Sequence, residues 1–287
     1  MSVAWALMMA FGCKNNGVVN PVTPPEEQEE EEYIPVKSYY PKAKKSFRIV
    51  SYNVGNCGKY IENMNENITL IADLMKELDA NVVALNELDS MNTRHWANEV
   101  KILANKMGDW YWYFGRAISY KNGAYGNGVI MPIGEDILDE YTVALPNPTT
   151  FESRSIAVVE ANRFVIAACH LDHSNEDYIQ TQIAAVNAWA AEKYTRYPKP
   201  VFFAGDMNAV PTSDAIKALE TDWEIISSNE FSAGGNVNPT RCIDYIFHYR
   251  MSAPIKVVGG HTPMEFYAGD VTQASDHHPI YTDIEFL

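Results

Sequence analysis

Apolar and polar side chains alternate over residues 46–54, a segment rich in β-branched residues, and this pattern predicts a β-strand that ends at Gly55. Apolar residues at helical spacing follow between Ile68 and Leu78 and predict an amphipathic helix. The next run, residues 81–88, is short and apolar, which is typical of a buried strand. The pattern therefore predicts a strand, a helix and a strand at the start of the folded part.

The rest of the chain combines several strand-like runs with fewer helical ones. Helices are predicted at about residues 93–107, at about residues 175–197 and from Thr212. Strands are predicted at residues 127–132, 137–143, 155–160, 164–170, 201–205, 242–248, 255–258 and 280–286. Because strands and helices do not alternate regularly, the pattern favours an α+β fold in which two packed sheets are flanked by helices. A barrel of regular βα units is the less favoured alternative.

Composition narrows the classes of protein that the chain can belong to. Of its 287 residues, 47% are hydrophobic, so the chain can bury a substantial core and is not disordered as a whole. It carries 37 acidic and 22 basic residues, a formal net charge of -15 at pH 7. An acidic surface repels phosphate backbones, so the charge argues against a dedicated nucleic-acid-binding protein.

The first 45 residues differ in character from the rest. Residues 1–13 form an uncharged leader that ends at Cys13, which resembles the lipidated cysteine of a bacterial lipoprotein signal, although no basic residue precedes it. A plain apolar leader is the alternative. Residues 14–45 are acidic and Pro-rich, which predicts a disordered tether. We therefore expect a domain at residues 46–287 that is anchored by lipid at the cell envelope or secreted.

Polar side chains able to bind metal or move protons lie at the ends of the predicted strands or in the loops beside them. They are Asn53, Glu87, His170, Asp206, Asn208, Asp244, Asp276 and His277. Each of them alone has an ordinary structural explanation, such as a turn former, a cap or a solvated strand end. Loops mounted on a rigid sheet are also where catalytic groups commonly lie, and the repetition of this placement along one chain favours a functional site.

Eight short motifs occur in a fixed order between residues 46 and 285. They are SYNV, LNELD, GNGVI, ESRSIAVVE, CHLDH, GDMNAVP, IDYIF and SDHHP. This succession resembles the endonuclease/exonuclease/phosphatase superfamily, which includes deoxyribonuclease-type nucleases, inositol polyphosphate phosphatases and bacterial sphingomyelinases. The resemblance implies a four-layered α/β/β/α sandwich with two mainly antiparallel sheets. It also implies hydrolysis of phosphate esters with a divalent metal, usually Mg²⁺, with Mn²⁺ or Ca²⁺ as possible substitutes.

The donor types agree with a hard cation. Carboxylate and amide oxygens suit Mg²⁺, so we expect Glu87, assisted by Asn53, to form the metal site. Asp276 either completes the metal environment or braces its loop. The sequence contains no grouped cysteines, no His-Glu-x-x-His and no Gly-x-Ser-x-Gly, which argues against zinc and serine hydrolases.

The resemblance assigns the remaining candidate residues to catalysis. In similar enzymes the aspartate of GDMN orients or deprotonates the attacking water, which implies this role for Asp206, and Asn208 holds the phosphate. His170 and His277 are then expected on opposite sides of the scissile phosphate, and Asp244 is the expected partner of His277. Arg154 either clamps a phosphate oxygen or forms an ion pair with Glu152 or Glu160.

Several features leave alternatives open. Cys57, Cys169 and Cys242 are interpreted as buried small hydrophobic residues, with one disulfide as the alternative. We expect a monomer whose substrate is a small phosphorylated metabolite, a sugar or inositol phosphate, or a phospholipid headgroup, whereas nucleic acid is less favoured. A secreted or surface nuclease is an alternative within the same fold. A binding protein without catalytic activity is the alternative from another class.

Overall fold

The computed structural model describes residues 37–147 and 152–287. The predicted leader, including Cys13, and most of the predicted tether lie outside these residues, so lipid anchoring and the location of the protein stay predictions. Tyr39 and Tyr40, which the sequence assigned to the tether, contact the domain: the Tyr39 ring stacks on Tyr267 at 4.2 Å and the Tyr40 hydroxyl accepts a hydrogen bond from the Met264 amide. These residues therefore pack against the domain instead of extending from it.

In the described part of the chain, two six-stranded sheets form the centre and four helices flank them. The strands are β1 (Phe47–Asn53), β2 (Val82–Ser90), β3 (Tyr111–Tyr120), β4 (Gly123–Met131), β5 (Ile137–Ala144), β6 (Ser155–Ala161), β7 (Val165–His170), β8 (Val201–Asp206), β9 (Trp223–Ile225), β10 (Asp244–Tyr249), β11 (Ile255–His261) and β12 (Ile280–Phe286). The helices are α1 (Met64–Glu77), α2 (Glu99–Lys106), α3 (Glu176–Tyr194) and α4 (Asp214–Glu220), with 3-10 turns at Gly55–Cys57 and Val271–Gln273.

Both sheets are mixed, and each has one parallel pair among antiparallel neighbours. The first sheet has the order β11-β12-β1-β2-β4-β3, and the second has the order β5-β6-β7-β8-β10-β9. The parallel pairs are β1 with β2 and β7 with β8. In both pairs the connection contains a helix, α1 in the first and α3 in the second, as a parallel crossover requires. The prediction of two mainly antiparallel sheets with flanking helices is confirmed, and the βα barrel is excluded.

Alternate residues of the central strands face different layers of the core. In β1, Ile49 packs between the two sheets, whereas Val50 and Tyr52 pack against the layer of α1 and α2. In β8, Phe202 packs between the sheets and Phe203 packs against the layer of α3 and α4. Because side chains alternate across a strand, a strand covered on both faces can carry apolar residues at successive positions, which accounts for the continuous apolar run of β8.

The structure differs from the sequence prediction at a few elements. Strands β3 and β9 were not predicted, and β4 begins at Gly123 instead of residue 127. Helix α2 begins at Glu99, where the Asn98 side chain caps it by accepting a hydrogen bond from the Lys101 amide, whereas the prediction began it at residue 93. Among the described residues, the three cysteines are buried and free, as the favoured interpretation predicted, and no helix is long and apolar enough to cross a membrane.

Candidate active site

A cleft of about 440 Å³ opens at one end of the two sheets, and most of the predicted site residues meet there. It is lined by Glu87, Tyr125, Glu152, Arg154, His170, His173, Asp206, Asn208, Arg241 and His277. The predicted residues come from five different strands and from the loops beside them, and the sequence separates the outermost of them by more than half of the chain. The fold therefore brings distant polar groups to one place, as the sequence predicted.

The ends of the two parallel pairs supply four of these groups. Asn53 at the end of β1 lies beside Asn86 of β2 in the strand register, and Glu87 follows. His170 at the end of β7 lies beside Asp206 at the end of β8. Because the carboxyl ends of parallel strands meet at one edge of a sheet, each pair delivers its polar ends to the same place. The facing arrangement of the sheets then joins the two sets.

A β-bulge in β2 aims Glu87 at the cleft. Leu85 pairs with Gly128 and Leu88 with Gly126, so Asn86 and Glu87 together oppose a single residue of β4. Glu87 has a φ of 60°, a left-handed conformation that is rare for residues other than glycine. Bulges of this kind re-aim a side chain and are frequent beside active sites, and the strained backbone at Glu87 agrees with a functional role.

Gly205 permits the close approach of β7 and β8 directly below the site. A Cβ atom at this position would lie 1.8 Å from the carbonyl oxygen of Cys169 and 3.0 Å from the Asn86 side-chain oxygen. The residue also has a φ of 142°, which side-chain-bearing residues rarely adopt. The glycine of the GDMN motif is therefore required by packing and backbone conformation, and it sets the position of the neighbouring Asp206.

A buried amide network joins the two sheets beneath the cleft. The Asn86 side chain accepts a hydrogen bond from the Asp206 amide at 3.1 Å and donates to Asn127 Oδ1 and to the carbonyl oxygen of Cys169, both at 2.9 Å. Asn127 in turn donates to the carbonyl oxygen of Ser155 at 2.9 Å. Buried polar groups of this kind are stable only when their partners are present, so the network fixes how the sheets meet.

Asn53 connects the predicted metal carboxylate with the predicted base. Its Nδ2 donates to Glu87 Oε1 at 3.0 Å and to Asp206 Oδ2 at 3.1 Å. Its Oδ1 accepts a hydrogen bond from the Gly55 amide, so the amide oxygen faces the turn after β1. In this conformation Asn53 orients the two carboxylates, and Glu87 presents its oxygens to the cleft as donors of the kind that Mg²⁺ prefers.

His277 lies between two aspartates. Its Nδ1 is 2.8 Å from Asp244 Oδ2, and its Nε2 is 3.6 Å from Asp206 Oδ2. The Ser232 hydroxyl donates to the same Asp244 oxygen at 2.6 Å. This geometry matches the predicted pairing of His277 with Asp244, and it directs Nε2 toward the cleft as in other His-Asp pairs.

The charges in the cleft shift the pKa values of these groups in opposite directions. Burial lowers the pKa of His277, but Asp244 and Asp206 outweigh it and raise the pKa to about 10. Burial, followed by the neighbouring Asp244, raises the pKa of Asp206 to about 7. Burial, then Arg154 and His277, lowers the pKa of His170 well below its ordinary value. At neutral pH the cleft therefore holds a cationic His277 and a neutral His170.

Asp206, Asp244 and His277 offer ligand atoms within 4.8 Å of one another, which would also suit a metal ion. In this structure Nδ1 of His277 bonds to Asp244, whereas Nε2 is directed toward the cleft. The proximity of the three residues is explained by their hydrogen bond and their opposite charges, so Glu87 is the better candidate for a hard cation.

The remaining predicted residues occupy distinct places. Asn208 lines the cleft with a φ of 51°; its amide donates to Asp206 Oδ1 and its side chain donates to the Leu171 carbonyl oxygen. His170 Nε2 lies 3.5 Å from Asp206 Oδ2, and its buried Nδ1 has no partner among the described residues.

Asp276 pairs with Lys59 at 2.8 Å and is not one of the cleft-lining residues, so its contact is a bridge between loops.

Arg154 forms one of the ion pairs that the sequence left open as an alternative, and its role as a phosphate clamp stays a prediction. The residue is only 4% exposed and lines the cleft, and its Nη1 is 3.1 Å from Glu152. Nη2 is 3.1 Å from His173 Nδ1, and Nε has no partner among the described residues. Glu160 instead accepts hydrogen bonds from the hydroxyls of Tyr194 and Tyr197. The ion pair with Glu152 therefore exists, and Arg154 is at the same time one of the residues that line the cleft.

Sequence reasoning missed several residues of the site. Tyr125, His173 and Arg241 line the cleft, and Asn86 and Asn127 support it. Asn127 lies in GNGVI and His173 in CHLDH, so the motifs contained a signal for both. Arg241 precedes IDYIF in a loop, and no local pattern distinguishes it from other exposed arginines.

The comparison with protein families agrees with this geometry. Residues 50–277 match the Endonuclease/Exonuclease/phosphatase family, which is most of the chain. The chain belongs to this family, whose members are hydrolases that act on phosphate esters. Among curated proteins, none matches the sequence.

Solved structures share the fold at low sequence identity. An endonuclease/exonuclease/phosphatase from Bacteroides vulgatus has a TM-score of 0.68 and 17% identity, over 85% of this chain and 100% of that one. A mannosyl-6-phosphatase from Bacteroides thetaiotaomicron VPI-5482 has a TM-score of 0.69 and 15% identity, over 84% of this chain and 100% of that one. The human Nocturnin catalytic domain, solved with a bound sulfate anion, has a TM-score of 0.63 and 16% identity, over 85% and 94%. At these identities the likeness establishes the fold.

Proposed function

We propose that the protein is a divalent-metal-dependent hydrolase of phosphate esters, in which a water attacks phosphorus in line with the leaving oxygen. The observation that carries the proposal is the meeting of Glu87, Asp206 and His277 in one cleft, with Asn53 bonded to both carboxylates. This reaction requires three groups: a carboxylate that binds the cation, a base that takes the proton of the water, and a cationic side chain that donates hydrogen bonds to the phosphate.

Glu87 is the residue that would hold the metal. Mg²⁺ binds through one or two carboxylates together with waters and substrate phosphate oxygens. The Glu87 carboxylate, which is directed into an open cleft, suits this way of binding the ion. When bound, the cation neutralises charge on the phosphoryl oxygens and polarises the group. Asn53 holds the Glu87 carboxylate in place through its 3.0 Å hydrogen bond.

Asp206 is the group that receives the proton of the attacking water. As the bond from the water oxygen to phosphorus forms, the bond to the leaving alcohol oxygen breaks, and the leaving oxygen takes a proton from solvent. A pKa near 7 suits a base that works at neutral pH, because the carboxylate is partly ionised and still basic. The hydrogen bonds from Asn53 and from the Asn208 amide keep the two Asp206 oxygens in fixed directions.

The cationic side chains bind the phosphate. His277 is protonated because of Asp244, so its Nε2–H donates to a phosphoryl oxygen while Nδ1 stays bound to the aspartate. Arg154, which lines the cleft, and the neutral His170 donate from the side of the second sheet. Such donors stabilise the charge that develops in the transition state, since they are oriented before the substrate arrives.

Hydrolysis of a panel of phosphate monoesters and diesters by the purified protein tests the proposal. We expect Mg²⁺ to support release of phosphate or alcohol, EDTA to abolish it, and His277→Ala to lower kcat/KM by about 100-fold or more, the size typical of a lost transition-state donor. His261→Ala is the matched control, because His261 is exposed on β11 and pairs with Glu230. Absence of turnover on every ester with metal supplied would contradict the proposal.

A further inference from the structure

A second hollow adjoins the cleft. It has a volume of about 120 Å³ and is lined by Arg94, Ile118, Tyr120, Tyr125 and Glu152. Tyr125 and Glu152 also line the larger cleft, so the two spaces share a wall. A substrate whose phosphate lies among Glu87, Asp206 and His277 would extend its alcohol part past this wall.

The hollow is built by the β3–β4 hairpin together with the loop after β2. Tyr120 lies at the end of β3, and Tyr125, early in β4, pairs with Ile118 and with Asp89 in the strand register. The rings of Tyr120 and Tyr125 lie 5.9 Å apart at 52° to each other. Both tyrosines are half-buried, so each exposes part of its surface to the hollow.

Arg94 is held rigidly above these rings. Its Nε and Nη2 bind the two carboxylate oxygens of buried Asp89 at 2.5 and 2.7 Å, and the guanidinium carbon lies 5.0 Å from the Tyr120 ring centre and 5.8 Å from that of Tyr125. Bidentate pairing and stacking on aromatic rings fix the side chain. Because Nε and Nη2 serve Asp89, Nη1 is left for another acceptor.

The chemistry of this lining suits a ligand with several hydroxyl groups. The Glu152 carboxylate accepts hydrogen bonds, Arg94 Nη1 donates them, and the Tyr125 hydroxyl has no hydrogen-bond partner among the described residues. A vicinal diol offers both donors and acceptors and can bond to a carboxylate and a guanidinium together. A charged lining is costly for an acyl chain, because burial beside it would desolvate Glu152 and Arg94.

A flat base fits the hollow less well. Base recognition through aromatic side chains needs an open ring face on which the base stacks. Here the guanidinium of Arg94 covers one face of both tyrosines, and the 52° tilt between the rings prevents a parallel-walled slot.

We propose that this hollow is a subsite for the alcohol part of the substrate and that the substrate is the phosphate ester of a sugar or another polyol. The inference rests on the proposed function, because it takes the adjoining cleft as the phosphate site. In the bound state Arg94 and Glu152 bind hydroxyl groups of the polyol, and Tyr125 lies at the boundary between the polyol and the phosphate.

A comparison of three monoesters tests this assignment: a hexose 6-phosphate, 2'-deoxy-5'-AMP, which has a base but no vicinal diol, and p-nitrophenyl phosphate. We expect wild-type protein to prefer the hexose phosphate. Arg94→Ala should lower the ratio of kcat/KM for hexose phosphate to kcat/KM for p-nitrophenyl phosphate by about 10-fold, mainly through KM, the size of one lost charge-assisted hydrogen bond. Arg116→Ala, an exposed arginine on β3 outside the hollow, is the matched control and should leave the ratio unchanged.

Tyr120→Leu is the second variant, because Arg94→Ala leaves the buried Asp89 unpaired and can destabilise the protein. It should lower the same ratio while retaining the Arg94–Asp89 pair. Turnover of all three esters with ratios unchanged in both variants overturns the subsite and leaves the proposed function standing. A preference for 2'-deoxy-5'-AMP that Arg94→Ala removes overturns the polyol assignment. Failure to hydrolyse any of a wide panel of esters overturns the proposed function itself.

Discussion

The two sheets contribute to the cleft in different ways, although their central strands are arranged alike. Each has a parallel pair connected through a helix, and each pair ends in polar residues. In the first sheet the end of the pair is a bulge that aims Glu87 into the cleft. In the second it is a close approach at Gly205 that holds His170 and Asp206 side by side.

This difference indicates that the two sheets supply different chemical groups to the site. In the proposed mechanism the first sheet presents the metal ligand Glu87, whereas the second presents the base and most of the side chains that donate hydrogen bonds to the phosphate. His277, from the loop before β12 of the first sheet, crosses the boundary and is bound by Asp244 of the second. Changes in the second sheet should therefore alter the chemical step, and changes in the first should alter the metal requirement.

Asp206→Asn removes the proposed base, which lies on the second sheet, and should have the largest effect on catalysis. The amide keeps the shape of the side chain but cannot accept the proton of the water, so kcat should fall by about 10² to 10⁴-fold, the usual contribution of a general base. Steady-state kinetics at saturating Mg²⁺ measures this loss. Asp214→Asn is the control, because Asp214 is exposed at the start of helix α4. An unchanged kcat would exclude Asp206 as the base.

Gly205→Ala tests whether the close approach of β7 and β8 is structurally required. The added methyl would meet the Cys169 carbonyl oxygen at 1.8 Å in a backbone conformation unfavourable to alanine, so the free energy of unfolding should fall by about 3 kcal/mol or more. Urea denaturation measures the change. Gly259→Ala is the control, since nothing lies within 4 Å of the place that its methyl group would take. Equal stabilities of the two variants would contradict this role of Gly205.

Glu87→Gln removes the proposed metal-binding carboxylate, which lies on the first sheet. Losing the carboxylate charge should raise the Mg²⁺ concentration for half-maximal activity by about 10- to 100-fold, a range typical of weakened metal sites, with a smaller effect on kcat at saturating metal. Titration calorimetry with Mg²⁺ gives a readout independent of turnover. Glu66→Gln, exposed at the start of α1, is the control. Normal Mg²⁺ affinity in Glu87→Gln would place the cation elsewhere.

Asp244→Asn removes the carboxylate charge of the second sheet that binds His277 from the first sheet, so it tests how the two sheets depend on each other. The wild-type rate should rise with pH as Asp206 loses its proton near pH 7 and fall as His277 loses its proton near pH 10. Asp244 raises both pKa values, so its loss should move both limbs to lower pH. The pH profile of kcat/KM and NMR titration of His277 measure the shift. Limbs that stay in place would show that Asp244 does not control these groups.

The strands that build the site were the ones most readable from the sequence. A short apolar run with a polar end marks each of β2, β7 and β8, and the alternation of apolar and polar residues marks β1. Strand β3 was missed because its aromatic residues are mostly half-buried and show no clear alternation. The fold class followed from the number of such runs and their irregular order.

The geometry of the site required information that the local pattern does not contain. The bulge at Glu87 depends on pairing with β4, some forty residues later in the chain. The roles of Asn86 and Asn127 depend on the contact between sheets, because each amide is satisfied by groups of other strands. The pairing of His277 with Asp244 could be proposed only from the family motifs, since the two residues are adjacent through tertiary structure alone.

The position of β12 has a consequence for the newly synthesised protein. This strand lies inside the first sheet, between β11 and β1, and His277 lies in the loop that leads into it. During synthesis on the ribosome, β1 cannot pair with β12 until residues up to Phe286 have emerged. Nascent chains that stop short of this strand should therefore carry no hydrolytic capacity, which would delay the onset of activity until translation of the domain is complete.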